Sequence, residues 1–222
     1  MTPRALTERR KRARKIVAYL KKAYPRPESE LQYDKPFQFV VAVMMSAQCT
    51  DKVVNRVTEK LFKKYKMPRD FARADLKTFT KEISSVTFFR NKAKAIIAAA
   101  KKIEKDFGGT VPQNAKDMQM LPGVGYKTAH VILGQLYDTW EGIATDTHVR
   151  RFALRFDLTD NTDLTKISKD LERLIPKKDW KYANNGLVLY GRYICPARPH
   201  DCSPHPLTKL WPEAAKRWPK AR

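Results

Sequence analysis

Nowhere in the 222 residues do apolar and polar positions alternate with a period of two between hairpin turns. Without that alternation a half-buried strand has no face to bury, so a sheet is excluded as the main architecture. What recurs is the three-and-four spacing of helices. Phe37 to Ala47 is apolar all round, which predicts a buried central helix, with Gln38 and Ser46 as its polar interruptions. Asp51 is placed to cap the next, where Val53, Val54, Val57 and Leu61 share one side. Asp75 opens a short helix, and Asn91 a longer one whose stripe is Ala93, Ile96, Ile97, Ala100 and Ile103, stopped by Gly108-Gly109. Further helices are expected after Asn114, over Tyr126–Tyr137, after Asp146, over Leu164–Ile175 and over Trp180–Tyr193, with an irregular tail from Pro196. The fold class is all-α.

Charge names the partner. Lys and Arg number 45 against 23 Asp and Glu, a formal net charge of +22. Such a field concentrates polyanions, and each phosphate neutralised releases a counterion, so nucleic acid is the expected ligand. The first 26 residues hold ten Lys or Arg and one acid, Glu8, with Leu6, Ile16, Val17 and Leu20 on one narrow stripe. They read as a cationic helix packed on the protein with its charged side to DNA. The longest apolar run, Phe37 to Ala47, falls short of the roughly 20 residues of a membrane span. Three cysteines and no secretory signal point to a reducing compartment, the cytosol or nucleoid. Nothing resembles a coiled coil, so a monomer is expected.

Leu121-Pro122-Gly123-Val124-Gly125-Tyr126-Lys127-Thr128-Ala129 is the most informative segment. Two glycines two apart suit a tight turn between helices, and the amides opening the second helix suit a phosphate. An ordinary helix–helix turn uses glycine for the same steric reason. Val124 is placed either to pack beneath the turn or to touch a sugar. Lys127, in the first turn of the following helix, is either a solvated or phosphate-binding cation, or a nucleophile for C1′ of a sugar. Catalysis needs a neutral amine, which burial beside a positive helix end would favour. Asp146, in Thr145-Asp146-Thr147-His148, is the candidate carboxylate partner and equally a plain N-cap.

The run LPGVGYKTAHVIL, followed 19 residues after its lysine by the aspartate of ATDTHVRR, resembles the endonuclease III family of helix-hairpin-helix DNA glycosylases. FQFVVAVMMSAQCTD, FFRNKA and GRYIC extend the resemblance over about residues 30–200. It implies two helical lobes: a six-helix barrel at 29–139 carrying the hairpin, and a second lobe from 1–28 plus 140–222. It implies a bifunctional glycosylase and AP (abasic-site) lyase acting on double-stranded DNA with an oxidised pyrimidine or an abasic site. Lys127 is then the Schiff-base nucleophile and Asp146 its partner. Gln48 fills the gap left by the flipped base, and Phe88 is the wedge, where the family commonly has Leu. Gly123, Val124, Gly125 and Thr128 grip the backbone, and His148 contacts DNA near the lesion. His130 and Gln119 depart from the family, which keeps a mismatch or uracil-type glycosylase as the alternative. A non-catalytic DNA-binding protein is a third reading, which the retention of both Lys127 and Asp146 opposes.

The family ends with four cysteines in a C-x6-C-x2-C-x5-C pattern around a [4Fe–4S] cluster. Here Cys195 and Cys202 keep the first spacing, and His205 and Trp211 stand where the others belong. A cubane needs four good ligands, so no cluster and no cofactor are expected. Cys195, His200, Cys202 and His205 are the right residue types for zinc at an irregular spacing, and apolar packing of Leu210, Trp211 and Trp218 is the favoured reading of this tail.

Overall fold

The computed structural model describes residues 3–217, and every regular element among them is helical. The chain divides into two compact units, residues 29–141 and residues 1–28 with 142–222. The expected Trp218 lies outside the described residues.

In the first unit α2 (Pro36–Ser46) is the central helix, with Phe37 through Met45 all buried. It packs on α3 (Asp51–Lys64), α6 (Phe89–Asp106) and α8 (Tyr126–Tyr137). Its polar interruption is satisfied inside. Gln38 Oε1 accepts from the amides of Asp34 and Lys35, both at 3.0 Å, and its Nε2 donates to Tyr65 O at 3.3 Å. The short helices α4 (Pro68–Ala72) and α5 (Leu76–Glu82) seal one side. Phe71 of α4 stands 5.1–6.5 Å from the rings of Phe37, Phe62, Tyr65 and Phe79.

Capping corrects two boundaries. Thr50, not Asp51, caps α3, accepting from the Val53 amide, and Asp51 sits in the first turn. The long helix α6 begins at Phe89 with Phe88 as its N-cap, two residues before the expected Asn91. Its buried stripe is the one expected, Ala93, Ile96, Ile97, Ala100 and Ile103. Asp75 caps α5 and Asn114 caps α7 (Ala115–Met118) as read.

In the second unit α1 (Pro3–Ala23) buries Ala13, Ile16, Val17 and Leu20, while Leu6 is only half-buried. They join the core of α9 (Thr147–Arg155), α10 (Leu164–Leu174) and α11 (Leu187–Tyr193). Two of the α1 arginines are not available to a ligand. Arg9 donates to Asp157 at 2.9 Å and to Asp160 at 2.5 Å, and Arg12 holds Asp157 at 2.8 Å and the Phe156 carbonyl at 2.8 Å. Guanidinium forks answer clustered carboxylates, so part of the helix's charge is internal structure.

The helix expected over Trp180–Tyr193 spans those residues, with a π-turn at Tyr182–Gly186 inside it before α11, and a 3₁₀ turn at Lys177–Asp179 comes just ahead of it. The π-turn lies against α1, where a Cβ on Gly186 would stand 3.4 Å from Leu20 Cβ. The tail is less irregular than its composition suggests, with α12 (Pro206–Leu210) and α13 (Glu213–Lys216).

Candidate DNA-binding and catalytic residues

The hairpin belongs to the first unit, between α7 and α8. Gly123 has φ +80°, and a Cβ there would stand 2.9 Å from both Ala95 Cβ and Met44 Cε. Left-handed backbone and a close approach both demand glycine. Gly125 is different: it is extended, and a Cβ would meet nothing within 4 Å. Its lack of a side chain serves no contact inside the protein and leaves the N-terminus of α8 open. No side chain caps α8, so the amides of its first turn are offered outward, with the positive end of the helix dipole behind them. Val124 resolves its two readings: the side chain is buried and the amide donates to Leu121 O at 3.0 Å, so it packs beneath the turn and does not reach a ligand. Lys127 is exposed in the first turn of α8, and Thr128 beside it is half-buried.

Gln48 and Phe88 share an unusual backbone. Both are non-glycine residues in the left-handed region, at φ 54° and 56°. Such residues are held by their surroundings, typically where a side chain must be aimed. Phe88 is 58% exposed, a large ring presented to solvent on a strained cap. Gln48 is exposed on the turn that follows α2. One residue ties both turns. The Lys92 ammonium donates to Met45 O at 2.7 Å and Ala47 O at 2.6 Å, and its backbone amide donates to Phe88 O at 3.1 Å. Burial pushes the Lys92 amine below the ordinary lysine range. Sequence reading missed Lys92, because a lysine on a basic chain gives no sign of pointing inward.

The departures at His130 and Gln119 are accounted for locally. His130 is buried with its ring 4.2 Å from that of Tyr126, edge to face, and Gln119 Nε2 donates to Ala115 O at 3.0 Å.

In the second unit Asp146 is the N-cap of α9. Its Oδ1 accepts from the His148 and Val149 amides at 2.8 and 2.9 Å, and the cap makes no use of Oδ2. A carboxylate fixed through one oxygen is compatible with both the capping and the catalytic reading. His148 is half-buried, and Arg151 donates to its Nδ1 at 3.3 Å. Gly191 of α11 makes room for this pair: a Cβ would fall on the His148 ring and 2.7 Å from Arg151 Nη2. A buried glycine in a helix was the one available signal of that close packing, and it was not read as such.

The tail is organised around Arg155, which is 1% exposed. Its guanidinium donates to Cys195 Sγ at 2.8 Å, to Cys202 Sγ, to Thr208 Oγ1 at 3.1 Å and to Ala214 O at 3.1 Å. Both cysteines are free and buried, and burial pushes the Cys195 thiol up while Arg155 opposes it. Cys195, His200 and His205 place one ligand atom each within 4.8 Å of one another. Trp211, at the position of a fourth cysteine, has the guanidiniums of Arg12 and Arg217 over its ring, 4.5 and 5.3 Å from the centroid. It packs on the core as expected, whereas Leu210 is exposed. Two sulfurs held by a guanidinium, two imidazoles and an indole do not fit a cubane iron–sulfur cluster, which takes four thiolate-class ligands.

Known proteins match this chain closely. The family described as HhH-GPD superfamily base excision DNA repair protein matches residues 41–177. Endonuclease III of Synechocystis sp. is 41% identical over 211 residues, 95% of this chain and 96% of that protein. Endonuclease III of Bacillus subtilis is 42% identical over 195 residues, 87% and 89% of the two chains. A solved structure described as a trapped endonuclease III–DNA covalent intermediate superposes with a TM-score of 0.86 at 34% identity, covering 94% of this chain and 98% of that one. A thermostable thymine-DNA glycosylase shares the fold, with a TM-score of 0.78 at 21% identity over 90% and 95% of the two chains.

Proposed function

The chain belongs to the endonuclease III family of the HhH-GPD superfamily, a DNA glycosylase with AP lyase activity in base excision repair, and we propose that it acts on oxidised pyrimidines through Lys127. The observation that carries this reading is Lys127 itself, an exposed primary amine on the first turn of a helix whose N-terminus is left open by Gly125.

In the proposed reaction the neutral Lys127 amine attacks C1′ of the flipped nucleotide. The glycosidic C–N bond breaks and the base leaves with its electron pair, taking up a proton. The nitrogen then loses a proton and its lone pair expels O4′, which takes up a proton as the sugar ring opens, leaving an imine to C1′ that acidifies the C2′ proton. Loss of that proton breaks the 3′ C–O bond, and the phosphate departs with the bonding pair. Water then hydrolyses the imine and returns Lys127. Asp146, held in place by two amides, is assigned the proton transfers and the balancing of positive charge. Gly123 and Gly125 are assigned to the backbone phosphate, with the outward amides of α8 as donors and Thr128 beside them. Val124 is assigned only the support of that turn. Phe88 is the wedge, Gln48 occupies the place of the extruded base, and His148 contacts DNA near the lesion. No step uses an iron–sulfur cluster, and we assign none to the chain; the donor set around Arg155 supports this. No helix among the described residues is long and apolar enough to cross a membrane, and we assign the protein to the nucleoid, with its substrate.

Duplexes carrying thymine glycol, uracil or a G·T mismatch separate the readings. Release of thymine glycol together with β-elimination at the nick is the expected product. Uracil or thymine release without strand cleavage would shift the assignment to the mismatch or uracil class.

A further inference from the structure

We propose that Cys195, His200 and His205 form a binding site for a divalent transition metal of the zinc type, which pins the tail loop to α11. The residue types are those zinc selects, thiolate sulfur and imidazole nitrogen. One spacing is already that of a bound ion, and all three ligand atoms lie within 4.8 Å of one another. Ligands at ~2.0–2.3 Å from a tetrahedral ion stand about 3.3–3.8 Å apart, and Cys195 Sγ and His200 Nε2 are 3.7 Å apart.

Three further features point to an ion. His200 Nδ1 lies 2.7 Å from Arg198 O, which as a carbonyl can only accept. The ring proton is therefore on Nδ1, and Nε2 turns its lone pair toward the Cys195 sulfur. A backbone carbonyl fixing the tautomer behind a ligating histidine is the usual second layer of a metal site. His205 contributes a ring nitrogen to the same cluster, and its Nδ1 is buried with no hydrogen-bond partner among the described residues. Burying such an atom unpaired is costly, and an ion ligated through Nδ1 removes the cost. Finally, Arg155 Nη1 donates to the Cys195 sulfur at 2.8 Å, which fixes that sulfur in place within the cluster. Cys202 carries the other arm of Arg155 and is outside the three-atom cluster, so the fourth position falls to water. On binding, the ion replaces the thiol proton of Cys195, which leaves to solvent.

The site belongs to the second unit and rests on the absence of a cluster, not on the glycosylase reading. The test is elemental analysis of the full chain, expressed without a metal-affinity tag and purified without chelator. Zinc stoichiometric with protein, lost from His200→Ala and His205→Ala but kept by Lys127→Ala, is the expected result. Cobalt loaded into the protein should show a thiolate-to-metal charge-transfer band that both histidine variants lose. Should the variants unfold, the wild type carries the test. A chelator should lower its Tm and added zinc restore it, because an ion bound only by the folded state stabilises it by mass action. Absence of zinc, with no cobalt band and no response of Tm to zinc, overturns the site and leaves the Arg155 guanidinium as the cation on the two sulfurs. Zinc retained by both histidine variants overturns the ligand assignment. Stoichiometric iron with inorganic sulfide overturns both this site and the cluster-free reading, while the glycosylase reading stands or falls on its own products.

Discussion

Lys92→Met tests the idea that one half-buried ammonium aims two DNA-contacting side chains. The ammonium makes two short bonds, to Met45 O at 2.7 Å and Ala47 O at 2.6 Å, on the turn that bears Gln48. Hydrogen bonds to a charged group contribute roughly 1.5–3 kcal/mol each. Desolvation of the amine, seen in its lowered pKa, offsets part of that, and partial exposure lets water reach the carbonyls in the variant. The net loss is then about 1–3 kcal/mol, a Tm decrease of roughly 2–10 °C for a chain of this size. Gln48 sits at φ 54°, a conformation that costs on the order of 1–2 kcal/mol. Without the clamp that strain relaxes, and binding must restore the turn. The affinity for a duplex with a stable abasic analogue should fall about tenfold for each ~1.4 kcal/mol involved. Fluorescence anisotropy on the abasic and the undamaged duplex, beside thermal denaturation, reads both quantities. Lys92→Arg should recover most of each, since it keeps a cation and its donors. A Lys92→Met protein that loses stability but binds the abasic duplex as tightly as the wild type would refute the reasoning, because the turn's shape would not depend on the clamp.

The two hairpin glycines should separate stability from binding. Gly123→Ala meets Ala95 and Met44 at 2.9 Å with φ +80°, so a Tm loss beyond the roughly 1–2 kcal/mol left-handed penalty is expected. Gly125→Ala meets nothing, so its Tm should be unchanged while its DNA affinity falls; equal effects from both on Tm would sink the distinction. Acid should destabilise the fold in a defined direction. The Arg9 guanidinium holds Asp160 below the usual carboxylate range, and the Met67 and Lys66 amides do the same for Asp70. A depressed folded pKa gives stability that is complete above the unfolded value of about 3.9 and disappears as pH falls through the folded value. Urea denaturation between pH 6 and about pH 3 should show this decline, and Asp160→Asn should flatten it.

The helices that were legible had a stripe and a chemical stop. The Ala93–Ile103 face needs only periodicity, and Asp75, Asn114 and Asp146 announce caps because their oxygens reach first-turn amides. Lys127 and its hairpin stood out because two glycines and a lysine at a helix start are a local pattern. What stayed hidden depended on distant partners. The left-handed backbone at Gln48 and Phe88 comes from tertiary restraint, which no residue at those positions advertises. Arg9 and Arg155 read as surface charge until Asp157 and Asp160, or two cysteine sulfurs from beyond position 190, are found beside them. The Trp180–Tyr193 segment looks like one helix because its apolar stripe runs through a π-turn that lies against α1.

The central claim, a covalent enzyme–DNA intermediate at Lys127, is tested most directly by borohydride reduction during reaction with an abasic-site duplex. Wild type should be trapped as a protein–DNA adduct, and Lys127→Ala should give none while keeping its Tm, since the side chain is exposed. An adduct formed equally by Lys127→Ala, or none formed by a wild type that binds the duplex tightly, contradicts the account.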